Sequence, residues 1–148
     1  MSQNEMAMQF DSRSSNEGFA RVVAGAFALQ LNPTLEELSD IKTAVSEAVT
    51  NAIIHGYPGR IERVEMLARI DGRVLEIVVA DRGVGIEDVE KAREPLYTTG
   101  SGAERSGMGF TMMETFMDEV EVESAPGQGT TVRMRKRIGA KRDPEQKR

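Results

Sequence analysis

The stretch that most constrains the fold is a capped helix that begins at Thr34-Leu35-Glu36-Glu37 and carries Glu47, Asn51 and His55 four residues apart. Asn32-Pro33 breaks the chain before it, and Thr34 with Glu37 forms a capping box, in which hydroxyl and carboxylate each take up the other's backbone N–H. Gly56, about two dozen residues on, is placed to end the helix in a left-handed conformation. Leu38, Ile41, Val45, Ala48 and Ala52 make its apolar face, and the Glu47-Asn51-His55 stripe runs along the edge of that face. Water access is limited there. Taken alone, the stripe reads either as a solvated helix edge or as one wall of a site for a metal-bound polyanion. His55 suits two roles equally, satisfying a terminal carbonyl at the dipole's negative end or facing a ligand.

A chain of 148 residues, 39% of them hydrophobic, suits one domain with a single core over residues 1–138, followed by a basic tail over 139–148. The net charge of −5 gives no broad attraction to nucleic acid. With no cysteine, disulfides, zinc–thiolate sites and thiol nucleophiles are excluded. No basic leader and no apolar run of ~18 residues is present, so neither export nor a membrane partner is expected, and the expected location is cytoplasmic.

In chain order, Met6 to Phe10 reads as an edge strand. Ser12 or Ser14 is placed to cap a helix running to about Leu31, with Phe19, Val22, Val23, Ala26 and Phe27 as its apolar face. Glu17 and Arg21 form an i, i+4 pair on its outer side. Val64–Ile70 and Val74–Ala80 read as strands joined at the Asp71-Gly72 hairpin turn. The second ends at Asp81-Arg82-Gly83-Val84-Gly85, where two glycines permit a sharp turn and leave room for a flat ligand, and Asp81 offers a buried acceptor. That motif alone is an ordinary turn. Glu87 to Ala92 reads as a short helix, and Arg93 to Arg105, with Pro95, Thr98, Thr99, Gly100 and Gly102, as a mobile lid. Ser106-Gly107-Met108-Gly109-Phe110 then opens a helix with Phe110, Met113, Phe116 and Met117 inward, its free N–H groups suited to phosphate and Arg105 beside them. Alone, this motif also reads as a helix cap. Glu119–Ser124 and Thr130–Arg137 close the chain as a hairpin.

Four signals thus follow in order: E-x-x-x-N-A-x-x-H-G on a helix, D-x-G-x-G after a strand, S-G-M-G-F at a helix start, and G-x-G-T-T entering the last strand. Their order and contexts agree, which makes individually weak motifs specific. The chain resembles the nucleotide-binding domain shared by type II topoisomerases, ATP-dependent heat-shock chaperones, sensor histidine kinases and MutL-type mismatch-repair proteins. Within 148 residues there is no room for the added domains of most of these or for a phosphoacceptor-histidine helix pair. It is most similar to the small stand-alone serine protein kinases that act as anti-sigma factors, through S-E-A-V-T-N-A-I-I-H-G-Y and E-R-S-G-M-G-F-T.

The resemblance implies a two-layer α/β sandwich, helices over one mixed, mainly antiparallel sheet, that binds ATP and Mg²⁺. By position, Asn51 would be the Mg²⁺ ligand, Glu47 the general base, and Asp81 the acceptor for the adenine amine. Gly83 and Gly85 would make space, with His55 and Thr130 also at the nucleotide. Arg105, Ser106, Gly107, Met108, Gly109 and Phe110 would wrap the phosphates, with Thr98 and Thr99 in the lid. The Tyr57–Arg60 loop is short, so ligand contacts there are not carried over. The implied partners are a sporulation sigma factor and an anti-anti-sigma protein phosphorylated on serine. Arg21 is read as a partner contact, and because a sequestering domain must bury one of its faces, a homodimer through the edge near Met6–Phe10 is expected. The competing reading is a binding module whose ATP is structural. Glu47 discriminates, since such a module has no need of a carboxylate there. A free-standing histidine-type kinase would need a phosphoacceptor helix, and the sequence contains none.

Overall fold

The computed structural model describes residues 3–94 and 101–139, with the side chains of 101–108 not described. Thr98, Thr99 and the tail beyond Gly139 therefore lie outside the described residues. Five strands form one sheet in the order β1-β2-β3-β5-β4: β1 Gln3–Asp11, β2 Arg63–Asp71, β3 Val74–Asp81, β4 Glu119–Ala125 and β5 Gly129–Arg137. Every described pairing is antiparallel, so the expected mixed sheet reduces to its antiparallel part. The helices α1 Ser15–Ala28, α2 Leu35–Thr50, α3 Val89–Arg93 and α4 Ser101–Phe116 complete the fold.

Strand alternation sends one side of the sheet into the core. The register places Met8 beside Met66, Ile77 between Ala68 and Met134, and Val79 beside Val132. Met66, Ala68, Ile77 and Met134 are at most 1% exposed. Ile41, Ala44, Val45, Ala48 and Val49 of α2 cover that side together with Phe110 and Met113 of α4 and Met117 just after it. The opposite side of the sheet is largely charged, with Leu67 and Val78 paired on it. At its centre the buried Glu76 carboxylate meets Arg135 at 2.9 Å, Arg69 at 3.1 Å and Arg133 at 3.7 Å.

Helix α1 departs from the expected face. Ala20, Ala24, Gly25 and Ala28 are its buried residues, whereas Phe19 and Val22 are more than half exposed and Ala26 is exposed. Val23 and Phe27 do pack against the core. Two apolar stripes compete in this sequence, and the alanine stripe wins because small side chains let α1 pack closely on α2. Ser14 occupies the cap position of α1 without a side-chain hydrogen bond to it. Ser12 instead is buried and accepts from the Glu62 amide at 2.9 Å, fixing the end of β1 to the start of β2. Thr34 and Glu37 do form the capping box of α2, at 3.0 and 2.9 Å. At the far end of the domain, Ile138 is fully buried and Gly139 donates to Glu37 at 2.9 Å.

Candidate nucleotide site

The site forms where α2 changes its winding. From Asn51 to Gly56 the chain is a π-helix, so the expected single helix to Gly56 is two differently wound segments. Such segments concentrate at functional sites because the wider turn re-aims side chains. Gly56 is not left-handed; the positive-φ glycines are others, Gly85 and Gly129 among them. It is glycine for a packing reason, because a Cβ there would lie 2.6 Å from the Asp81 carboxyl carbon. The Gly56 carbonyl accepts from the Val84 amide at 2.9 Å, which joins the helix end to the turn after β3.

Between this π segment, the ends of β3 and β5, and helices α3 and α4 lies a pocket. Asn51, His55, Asp81, Gly85, Phe110 and Thr130 line it, and Ala48, Ala52, Val79, Ile86, Ala92 and Val132 make its walls largely apolar. An apolar cleft with a few convergent polar groups is how planar cofactors are held. Asp81 is 7% exposed, and its carboxylate accepts from the Gly83 amide at 2.9 Å. Burial raises its pKa, an effect partly offset by hydrogen bonds from the Gly83 and Thr130 backbone. It also faces Thr130 across the β3–β5 register, and Thr130 Oγ1 pairs with Ser124 Oγ at 2.8 Å.

Gly83 differs from its expected role. It is buried behind the pocket, and a Cβ on it would fall on the Gly56 carbonyl. Gly85, at φ 77°, does line the pocket but is also pressed against the Ala125 carbonyl. The glycines of D-x-G-x-G thus serve close backbone packing as much as ligand space.

On the α4 side, Asn51 Nδ2 is buried with no hydrogen-bond partner, the one such side-chain atom among the described residues. An orphaned buried donor is costly unless an acceptor, such as a phosphate oxygen, is bound beside it; a cation would take the amide's Oδ1 instead. Gly109 lies against it: a Cβ there would stand 3.1 Å from Asn51 Nδ2 and 3.3 Å from Glu47 Oε1. Glu47 does not line the pocket. It stands at the end of a separate groove between α1 and α2, lined also by Arg21, Leu38, Lys42 and Ser46. Its pKa is raised, first by burial and then by the charge of Glu17. Glu17 pairs with Arg21 at 3.4 Å and accepts a hydrogen bond from Ser46 Oγ, so the pair expected on a solvated helix face links α1 to α2 beside Glu47.

Helix α4 begins at Ser101, so the S-G-M-G-F motif lies inside a helix rather than at its start. Ala103, Glu104, Arg105 and Met108 favour helix strongly enough to carry it through Gly107 and Gly109 at a cost of roughly 1 kcal/mol for each glycine. The amides of 106–109 are therefore interior to the helix, and the expected free N–H groups are not found there. The side chains of Arg105, Ser106 and Met108 are outside the described ones. Ile86 and Ala92 were not anticipated as pocket residues; only the apolar spacing of a short helix hinted at Ala92. Gly129 was readable as the glycine of G-x-G-T-T, and a Cβ there would fall on the Asp81 carbonyl.

An apolar pocket floored by a buried carboxylate, in helices over an antiparallel sheet, defines an ATPase domain of the histidine kinase-like class, and residues 11–136 match the family described as Histidine kinase-like ATPase domain. The chain is 61% identical to an anti-sigma F factor of Thermoanaerobacter sp. (strain X514), with 93% of this chain and 96% of that one covered. It is 58% identical to that of Halalkalibacterium halodurans, over 91% and 93% respectively. The chain belongs to the anti-sigma F factor family. Its fold is also similar to the RsbU and RsbW domains of a Mycobacterium tuberculosis protein, with a TM-score of 0.66 at 19% identity over 91% of this chain and 32% of that one. A blue-light activated histidine kinase domain of Erythrobacter litoralis is similar at a TM-score of 0.51 and 24% identity, over 70% and 46%. Among the described residues no helix is long and apolar enough to cross a membrane.

Proposed function

We propose that the chain binds Mg-ATP, phosphorylates a serine of an anti-anti-sigma protein, and sequesters a sporulation sigma factor from RNA polymerase. The observation that carries this reading is the separation of roles about Gly109: the buried Asp81 lies in the pocket, the unpartnered Asn51 amide is beside Gly109, and Glu47 faces the outer groove. Asp81 accepts the adenine amine, with Thr130 and His55 at the rim. The phosphates run toward α4, where the side chains of Arg105 and Ser106 meet them, and Thr98 and Thr99 contribute from the preceding segment.

Among the described residues no cluster of three or more His, Asp or Glu is placed to hold a metal by itself. One amide fits Mg²⁺, which commonly takes one or two protein ligands and fills its octahedron with phosphate oxygens and water. Asn51 would hold it through Oδ1, and the ion, when bound, offsets charge on the phosphates during transfer. Glu47 takes the proton of the acceptor serine hydroxyl as that oxygen bonds to the γ-phosphorus and the bond to ADP breaks. Its raised pKa makes it a stronger base than an exposed carboxylate. The reading further includes a homodimer through the free edge of β1, which sedimentation at micromolar concentration tests.

Incubation with γ-labelled ATP, Mg²⁺ and the small acceptor protein, followed by phosphoamino-acid analysis, tests the kinase. Label on serine of the acceptor is expected. No transfer, or label held on a histidine, overturns it.

A further inference from the structure

The turn that follows Asp81 is tied to the β4–β5 hairpin by the Gly127 amide to the Val84 carbonyl and the Ile86 amide to Ser124 Oγ, each at 2.8 Å, and to the end of the π-helix and the start of β2 at two further points. One is main chain on main chain, the Val84 amide to the Gly56 carbonyl at 2.9 Å. The other is a side chain. Tyr57 is 3% exposed, accepts from the Arg82 amide at 2.6 Å and donates to the Arg63 carbonyl at 2.8 Å. A phenol has one donor and acceptor capacity to spare, and both are used here. The Arg60 guanidinium stands 5.5 Å from the ring centroid. Tyr57 immediately follows the π-helix and is not among the pocket-lining residues. Any effect it has on a nucleotide must therefore pass through the peptide it grips.

We propose that Tyr57 is a positioning residue for adenine selection: its hydroxyl fixes the Asp81–Arg82 peptide against the end of the π-helix and the start of β2, and so sets where the Asp81 carboxylate meets the base. This rests on the reading of Asp81 as the adenine acceptor. The geometry explains why a side chain is used. Gly56 presses on the Asp81 carboxyl from one side and Gly83 is packed on the Gly56 carbonyl, so the carboxylate has little lateral freedom. Motion of the strand end along β3 is opposed by the Arg82 amide bond to the phenol. A hydrogen bond to a base weakens steeply with misalignment, so a small slip at residue 82 reduces discrimination before it reduces binding of the rest of the nucleotide. Removing the hydroxyl leaves a part-buried N–H and a part-buried carbonyl without that partner, while the ring's packing is kept.

The test compares ATP with purine riboside triphosphate, which lacks the 6-amino group, by calorimetry on the full chain. The parent is expected to prefer ATP. Tyr57→Phe is expected to lose about three- to ten-fold in ATP affinity, the worth of one neutral hydrogen bond, and less than about two-fold for the analogue. In an Asp81→Ala background the same change should no longer affect ATP. Equal losses for both nucleotides, or an unchanged ATP affinity, overturn the role of Tyr57. A parent that does not distinguish the two overturns the Asp81 reading itself, and this is seen before any variant is made. Amide hydrogen exchange on the parent gives a second readout independent of the variant's folding. Exchange at Arg82 should slow with ATP and not with the analogue, and equal slowing by both would sink the proposal.

Discussion

The Asp81 carboxylate fills the space in front of Gly56: a Cβ on Gly56 would stand 2.6 Å from its carboxyl carbon. The end of the π-helix and the floor of the pocket are in this sense one packed unit. Gly56→Ala should destabilise the fold by about 1–3 kcal/mol, as overpacking does, and lower ATP affinity together with stability. Gly83→Ala should cost more, because the added carbon falls on main chain, which yields less than a carboxylate can. Urea unfolding of both variants, with equal loss or none at Gly56, would contradict this packing.

Asp81→Ala should remove roughly 1.5–3 kcal/mol of ATP binding, the worth of a hydrogen bond to a charged group. Titration that finds the variant as tight as the parent removes Asp81 from the adenine site.

Asn51→Ala should weaken binding of Mg-ATP more than binding of metal-free ATP, since the amide oxygen is offered to the ion and not to the base. Calorimetry with and without Mg²⁺ reads the difference. Equal losses would make Asn51 structural.

Glu47→Ala and Glu47→Gln should each cut acceptor phosphorylation by about 10²–10⁴-fold, the range of general-base catalysis, with ATP affinity little changed. The glutamine keeps size and hydrogen bonding and cannot take the proton. A glutamine variant that phosphorylates at the parental rate would end the assignment of a base.

The same substitution should have a pH signature in stability. Burial and Glu17 raise the Glu47 pKa in the folded state, so between the unfolded and folded values the native protein binds more protons. The carboxyl's contribution is full below the unfolded value and is lost as pH rises through the folded one. Glu47→Gln should therefore be more stable than the parent at neutral pH, and the advantage should shrink as pH falls from the raised folded value to the ordinary carboxylate value, below which it levels off. Urea midpoints across that range decide it, and a gap that grows on acidification has the wrong sign.

How much was legible depended on the kind of signal. Thr34 with Glu37 and the Asp71-Gly72 break between two apolar runs are local, and each has one mechanical reading, so the helix start and the hairpin followed from sequence, with the turn itself one residue on at Gly72-Arg73 because Asp71 pairs with Val74. The face of α1 did not, because the choice between an alanine stripe and a bulkier one is made by how closely α2 approaches. The winding after Thr50 was also hidden, since no propensity separates a π segment from the α-helix it continues. In the pocket, Asn51, His55, Asp81, Gly85, Phe110 and Thr130 were readable as members of ordered motifs. The position of Glu47 in a different concavity, the burial of Gly83 and the start of α4 at Ser101 were not, because each is fixed by contacts between elements distant in the chain.

The π-helix from Asn51 to Gly56 carries a last consequence, for the heredity of the site. A wider winding holds more residues in the same height than an α-helix does. One residue lost from this segment would leave a more regular helix on the same path, with His55 and Gly56 turned about its axis relative to Asn51, although all three now line the pocket. Substitutions here can be conservative or radical, one position at a time. A change in count is neither, for it turns every later residue of the segment at once, so the lineage of this chain stores part of its chemistry as a number of residues rather than as their kinds.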